Sequence, residues 1–170
     1  MKKKTLFLGG SSLLAYSWCK QLVEKDHVIL GIHNKATELE GFESVSIDFD
    51  NLISQINDLD VSIIINCIGY TNVENCEINP KKAIEINADF PSKIAKVCKE
   101  LNIKLVHIST DHMFGGTSKM CNEKTEISPL NIYAKTKVQG EKNVLEINPN
   151  TLVIRTNFFG CGPTYRESFS

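Results

Sequence analysis

Short apolar runs alternate along the chain with stretches in which apolar residues recur every three or four positions. The runs are Thr5–Leu8, His27–Ile32, Ser44–Ile47, Val61–Cys67, Lys104–Ile108 and Thr151–Ile154. Most are continuous blocks rich in Val and Ile, the pattern of parallel strands covered on both faces. Between them the spacing predicts helices over Ser12–Glu24, Asn51–Asn57, Pro80–Asn87 continuing after Asp89 to Leu101, and Asn131–Asn148. In the third of these, Ile84, Ala88, Ile94, Ala95, Val97 and Cys98 supply the apolar stripe, Pro91 suits a first turn and Asn102 a stop. The order is βαβαβ twice over. It predicts an α/β protein with a doubly wound parallel sheet, three layers thick, with right-handed crossovers. Phe114–Leu130 is the one long irregular stretch, of a length at which loops are usually functional or disordered.

Composition narrows the class. The 170 residues carry 19 Lys+Arg and 20 Asp+Glu, a net charge of −1, and 42% are apolar. This excludes a disordered chain, a collagen-like repeat and a polybasic nucleic-acid arm, so no nucleic-acid partner is expected. One domain is expected across residues 1–170, and a chain of this length can bury a proper core. Cys19, Cys67, Cys76, Cys98, Cys121 and Cys161 form no C-x-x-C pair and have no histidine at finger spacing. They read as scattered thiols of a reducing, cytoplasmic compartment, with no metal site. Met1-Lys2-Lys3-Lys4 ahead of the uncharged run Thr5–Cys19 imitates a signal peptide, with Ala15-Tyr16-Ser17 as a cleavage site. Gly9-Gly10-Ser11-Ser12 in its middle suits a strand-to-helix turn better, and the sheet needs that strand. No stretch approaches the roughly 20 apolar residues of a membrane helix, so no membrane partner is expected.

Four segments could carry chemistry. Gly9-Gly10-Ser11-Ser12-Leu13-Leu14-Ala15 lies where a dinucleotide site turns the chain tightly and brings its backbone to a pyrophosphate at a helix N-terminus. Gly9 keeps the first place of a G-x-x-G-x-x-G spacing, while Ser12 and Ala15 hold the other two; the segment reads equally as a turn with an N-cap. The second strand ends in His33-Asn34-Lys35, with no acid for ribose hydroxyls and a cation suited to a 2′-phosphate, or simply as a polar loop. Ser109-Thr110-Asp111 stands at a strand's carboxyl end, where open α/β sheets bind ligands and where turns also begin. Tyr133 and Lys137 are four apart on one helix face. A cation there is expected to lower the phenol's pKa towards the working pH of a proton donor.

The combination resembles the extended short-chain dehydrogenase/reductases, in the dTDP-4-dehydrorhamnose reductase-like (RmlD-like) branch. The matching residues are the Gly9 turn, Asp48-Phe49, Asn66 to Glu74, Glu85-Ile86-Asn87-Ala88, His107 to Gly115, Ser128 to Tyr133 with Lys137, and Arg155-Thr156. The S-T-D-x-x-F-x-G string followed by P-x-N-x-Y-x-x-x-K carries most of its specificity.

The resemblance implies an NAD(P)-binding Rossmann fold and NADP or NAD as cofactor. Thr110 would hydrogen-bond the substrate carbonyl, Tyr133 would protonate it, and Lys137 would hold the nicotinamide ribose. Gly9, Ser11, Ser12, Leu13, His33, Asn34, Lys35, Asp48, Phe49, Cys67, Ile68, Gly69 and Asn87 would line the cofactor, together with Tyr133 and Lys137. Asp111, His112 and Asn157 would meet a nucleotide-sugar substrate. The implied reaction is reduction of a nucleotide-activated 4-keto-6-deoxysugar for polysaccharide biosynthesis, in an enzyme that pairs as a homodimer. His112 stands where this family often has Tyr, and a substrate-binding part of the family's usual length is expected to be largely missing. A reductase-like module without turnover, like the regulatory subunit of methionine adenosyltransferase, is the alternative the same resemblance allows.

Overall fold

The computed structural model describes residues 3–22, 27–32, 41–116 and 119–157. Six strands make one sheet: β1 Lys4–Leu8, β2 His27–Ile32, β3 Glu43–Ser46, β4 Ile63–Asn66, β5 Lys104–Thr110 and β6 Leu152–Thr156. Their order is β3-β2-β1-β4-β5-β6, and every pairing is parallel. The chain order reverses between β1 and β4. In open α/β sheets the crevice outside the carboxyl ends at such a switch point is the usual ligand site.

The helices are α1 Leu13–Leu22, α2 Leu52–Leu59, α3 Val73–Ile78, α4 Pro80–Ile84, α5 Phe90–Glu100 and α6 Ile132–Ile147. Alternate strand residues send their side chains to opposite faces of the sheet. Leu6, Leu8, Ile64 and Leu105 pack with Ile56 of α2, Ile94 of α5 and Val144 of α6. Phe7, Leu30, Ile65 and Ile108 pack with Ala15 and Cys19 of α1 on the other face. Both faces are therefore covered, which is why the strands read as unbroken apolar blocks.

The bounds of β2 agree with the sequence expectation, and the other described boundaries differ from it by no more than three residues. One helix was not expected at all. Asn72 caps α3 by accepting from the Asn75 amide at 2.8 Å, and the helix is too short to show a helical period. The expected stop at Asn102 is present. Its φ is +55°, and the Ile103 amide returns to the Cys98 carbonyl at 2.8 Å, closing α5 in a Schellman motif.

Between α4 and α5 the helix does not break. Glu85–Asp89 forms a π-helical turn, with Asn87 and Ala88 buried inside it. Such turns are wider by one residue and recur at functional sites.

Candidate active site at the switch point

The first wall of the crevice is the turn after β1. The Gly9 and Gly10 amides both donate to the Gly31 carbonyl at 3.1 Å, and Gly9 has φ +81°, where a side chain is strained. Ser12 accepts from the Ala15 amide at 3.1 Å and so caps α1 with its own hydroxyl. The second wall is the turn after β4. A Cβ on Gly9 would stand 3.1 Å from the Ile68 amide nitrogen, so the two turns touch. Cys67 lies between them, within a hydrogen bond of Ser12, and burial pushes its thiol up to about 12.

Asn87 ties that second turn to α6. Its side-chain oxygen accepts from the Tyr70 amide at 2.8 Å. Its side-chain nitrogen donates to the Tyr70 carbonyl and to the Thr136 hydroxyl, each at 3.1 Å. Every polar atom of this buried amide is used on protein. Asn87 thereby joins the second wall of the crevice to α6.

The N-terminus of α6 is held from two sides. Asn131 accepts from the Ala134 amide at 2.8 Å, and Glu77 of α3 accepts from the Ile132 amide at 2.7 Å. These caps set Tyr133 and Lys137 against the end of β5. The Tyr133 hydroxyl is within a hydrogen bond of Thr110, and the His112 ring meets its ring edge-on at 5.7 Å. The Lys137 ammonium donates to the Ile108 carbonyl at 2.7 Å, in a buried position.

One electrostatic expectation is corrected. Burial pushes the Tyr133 phenol up, with Cys76 and Asp111 adding to it, and only the Thr110 hydrogen bond pulls the other way. Lys137 does not lower it here because desolvation outweighs the effect of a cation whose hydrogen bond goes to the β5 backbone. The lysine is itself pushed down to about 8 by burial, against the opposing pull of Glu141.

The structure places the other expected residues less closely. Asp48 is exposed and its carboxylate accepts from the Asn51 side chain at 2.8 Å and the Asp50 amide at 2.9 Å, which hold it below the usual range. Phe49 packs edge-on against Phe90 at 4.4 Å. Ser11 and Leu13 flank Ser12 in the first turn, half-buried, and Gly69 sits beside the Asn87 side chain. Asp111, His112 and Asn157 are exposed at the ends of β5 and β6. His33, Asn34, Lys35 and Cys161 lie outside the described residues.

Beside this site a cavity of about 690 Å³ runs between the long loop and β6, bordered by Asp111, Phe114, Glu141, Leu145, Ile154 and Arg155. Arg155 grips Glu141 through two nitrogens, at 2.8 and 3.1 Å, and lies over the Phe114 ring. Sequence reading gave no role to Asn66, His107, Thr136, Gly140 or Glu141. Asn66 and His107 show locally only as polar residues inside apolar strands, while Thr136, Gly140 and Glu141, set among Lys135, Lys137, Gln139 and Lys142, carry no local signal. Among the described residues, no helix is long and apolar enough to cross a membrane, and no group of three His, Cys, Asp or Glu could hold a metal ion.

A doubly wound, all-parallel sheet in this strand order is the NAD(P)-binding Rossmann fold. The chain belongs to the RmlD substrate binding domain family, whose model matches residues 3–164. It is 32% identical over 154 residues to the probable low-salt glycan biosynthesis reductase Agl14 of Haloferax volcanii, covering 88% of this chain and 51% of that protein. It is 29% identical over 154 residues to bovine methionine adenosyltransferase 2 subunit beta, covering 90% and 46% respectively. The dTDP-4-dehydrorhamnose reductase of Bacillus anthracis, solved in complex with NADP, superposes with a TM-score of 0.69 at 27% identity, over 91% of this chain and 53% of that one. The chain thus spans about half the length of the curated relatives it matches.

Proposed function

We propose that residues 1–170 are the cofactor-binding and proton-delivering portion of an NAD(P)H-dependent reductase. Its substrate would be a nucleotide-activated 4-keto-6-deoxysugar, and its place sugar-nucleotide biosynthesis. The observation that carries this is the placement of the Tyr133 hydroxyl against Thr110 at the carboxyl end of β5, with Lys137 anchored to the same strand one turn along α6. Two hydroxyls converging on one point can bind a carbonyl oxygen and hand it a proton. The crevice suits a dinucleotide: a left-handed glycine lets the backbone turn in closely, and the first amides of α1 point out of a helix N-terminus. Gly9, Ser11, Ser12 and Leu13 would hold its diphosphate, and Cys67, Ile68 and Gly69 would border its inner edge. When bound, the nicotinamide supplies the hydride.

Tyr133 donates the proton to the substrate oxygen, and its raised pKa keeps it protonated until charge develops there. Thr110 orients that oxygen. Lys137, buried one turn along the phenol's own helix, holds the end of β5 in place through Ile108. Turnover of a dTDP-4-keto-6-deoxysugar with NADPH or NADH, by the longest natural form containing this chain, is the test. Tyr133→Phe should lower kcat by about a hundredfold or more, the usual contribution of a positioned proton donor. An unchanged kcat would overturn the proposal.

A second reading has one observation of its own. Ser12 caps α1 with its own hydroxyl in the place of the glycine that lets a phosphate approach. A non-catalytic regulatory module, as the likeness to methionine adenosyltransferase 2 subunit beta suggests, would tolerate that. Thermal stabilisation of the folded protein by NADPH or NADH favours the reductase; its absence favours the module without nucleotide.

A further inference from the structure

His107 is fully buried in the middle of the sheet, and no step of the proposed reaction uses it. It pairs in register with Asn66, the last residue of β4, which is also buried. The orientation of the Asn66 amide is fixed by its other bond: its side-chain oxygen accepts from the Ile68 amide at 3.1 Å. The nitrogen of that amide therefore faces His107 Nδ1, at 3.1 Å, as the donor. Nδ1 must carry the lone pair, which puts the ring proton on Nε2. Burial and the nearby Lys137 charge hold the ring neutral, and so keep that acceptor available.

Packing alone does not call for this histidine. Its Nε2 has no hydrogen-bond partner among the described residues, which costs about 1–3 kcal/mol that an apolar side chain would not incur. What the imidazole does accomplish lies on the Nδ1 side. His107 holds Asn66, Asn66 holds the Ile68 amide, and Ile68 touches Gly9. The chain of contacts crosses from β5 to β4 and ends where the two turns of the crevice meet.

We propose that His107 is a positioning residue: by presenting Nδ1 as an acceptor it locks the Asn66 amide, and through it the spacing between the Cys67–Gly69 turn and the Gly9 turn. This rests on the reading of that crevice as a dinucleotide site. His107→Gln keeps an acceptor oxygen for Asn66, whereas His107→Leu removes it. Amide exchange in the ligand-free protein is the first measurement. In His107→Leu the Ile68 amide should exchange about tenfold faster relative to Phe7 of β1, the equivalent of one hydrogen bond, and in His107→Gln it should stay close to wild type.

Titration with NADPH is the second measurement. The dissociation constant should rise about tenfold in His107→Leu and change by less than about threefold in His107→Gln. A role in packing alone would move the melting temperatures and leave both readouts where they were. Equal effects of the two substitutions, or none on the Ile68:Phe7 ratio, would overturn the proposal. Should neither variant fold, the 15N shifts of the wild-type His107 ring decide it, since a proton on Nδ1 is incompatible with the lock. If wild type binds neither NADPH nor NADH, the proposed function fails, while the exchange ratio and ring shifts still judge His107.

Discussion

The backbone of α6 at Gly140 lies against the backbone of Asn87 in the π-helical turn, with no room for a side chain between them. A Cβ on Gly140 would overlap the Asn87 carbonyl oxygen and stand 3.2 Å from its carbonyl carbon. Both neighbours are backbone, so neither can rotate away. The helix that carries Tyr133 and Lys137 is seated on the element that carries Asn87 by the absence of one methyl group.

Gly140→Ala should therefore destabilise the protein by about 2–3 kcal/mol in denaturant unfolding, the upper range for overpacking, despite the better helix propensity of alanine. Alanine at exposed positions of α6, as in Gln139→Ala or Lys142→Ala, should be neutral within about 0.5 kcal/mol. Equal stability of Gly140→Ala and wild type would mean that α6 shifts freely on this face.

Glu141 sits one residue further along, buried, with Arg155 of β6 bonded to both its oxygens. Glu141→Ala leaves the guanidinium without its partner. The expected loss is about 3 kcal/mol, the low end for buried pairs, because Arg155 keeps some contact with water. Arg155→Met should cost more than Glu141→Ala, because it leaves the buried Glu141 carboxylate unpaired, whereas Arg155 is the more exposed partner. Paired unfolding curves of the two variants read the difference.

Lys137 makes stability depend on pH in a window of its own. Its folded pKa is about 8 against an ordinary 10.5, so between these values the unfolded chain binds more protons than the folded one. Stability due to this group then rises as pH rises through that window, and below pH 8 its desolvation penalty is fully present. Measured as wild type minus Lys137→Met, the unfolding free energy should increase from pH 8 to about 10.5. A flat difference would show that the ammonium is as well solvated as in the unfolded chain.

The thiols should react unequally. Cys19, Cys67 and Cys98 are each pushed up to about 12, above all by burial, and Cys76 is raised in the same way. Cys121 is exposed. A thiolate is the reactive form, so brief alkylation of the native protein near pH 8 should label the Cys121 peptide and spare the other four until denaturant is added. Rapid labelling of Cys67 would indicate that the crevice opens far more than its geometry implies.

How legible all this was follows from range. The six strands could be read because burial on both faces leaves a local record, an unbroken apolar block such as Ile63–Ile65. Asn102 and Asn131 could be read as helix ends because capping is chemistry within a few residues. Tyr133 and Lys137 could be paired because a helix places i and i+4 together. What could not be read depends on contacts 14 to 55 residues apart: Glu77 capping α6, Asn87 reaching Thr136, Asn66 holding His107, Arg155 gripping Glu141. The direction of the Tyr133 pKa shift was lost for the same reason. Its cause is the depth at which the folded chain buries the ring, and no local spacing encodes depth.

The π-helical turn at Glu85–Asp89 joins two halves of one rod that serve different clients. Before it, Ala83 packs with Cys76 and Tyr133 in a small cluster beside the site; after it, Phe90, Ile94, Ala95 and Cys98 fill the main core under the sheet. A uniform α-helix has a single phase and would aim both halves by the same count. The extra residue acts as a phase slip, letting the Tyr133 flank and the structural core be specified by separate stretches of sequence. Deleting one residue within 85–89 would put the two halves back in step, and one of the two partners would lose its face.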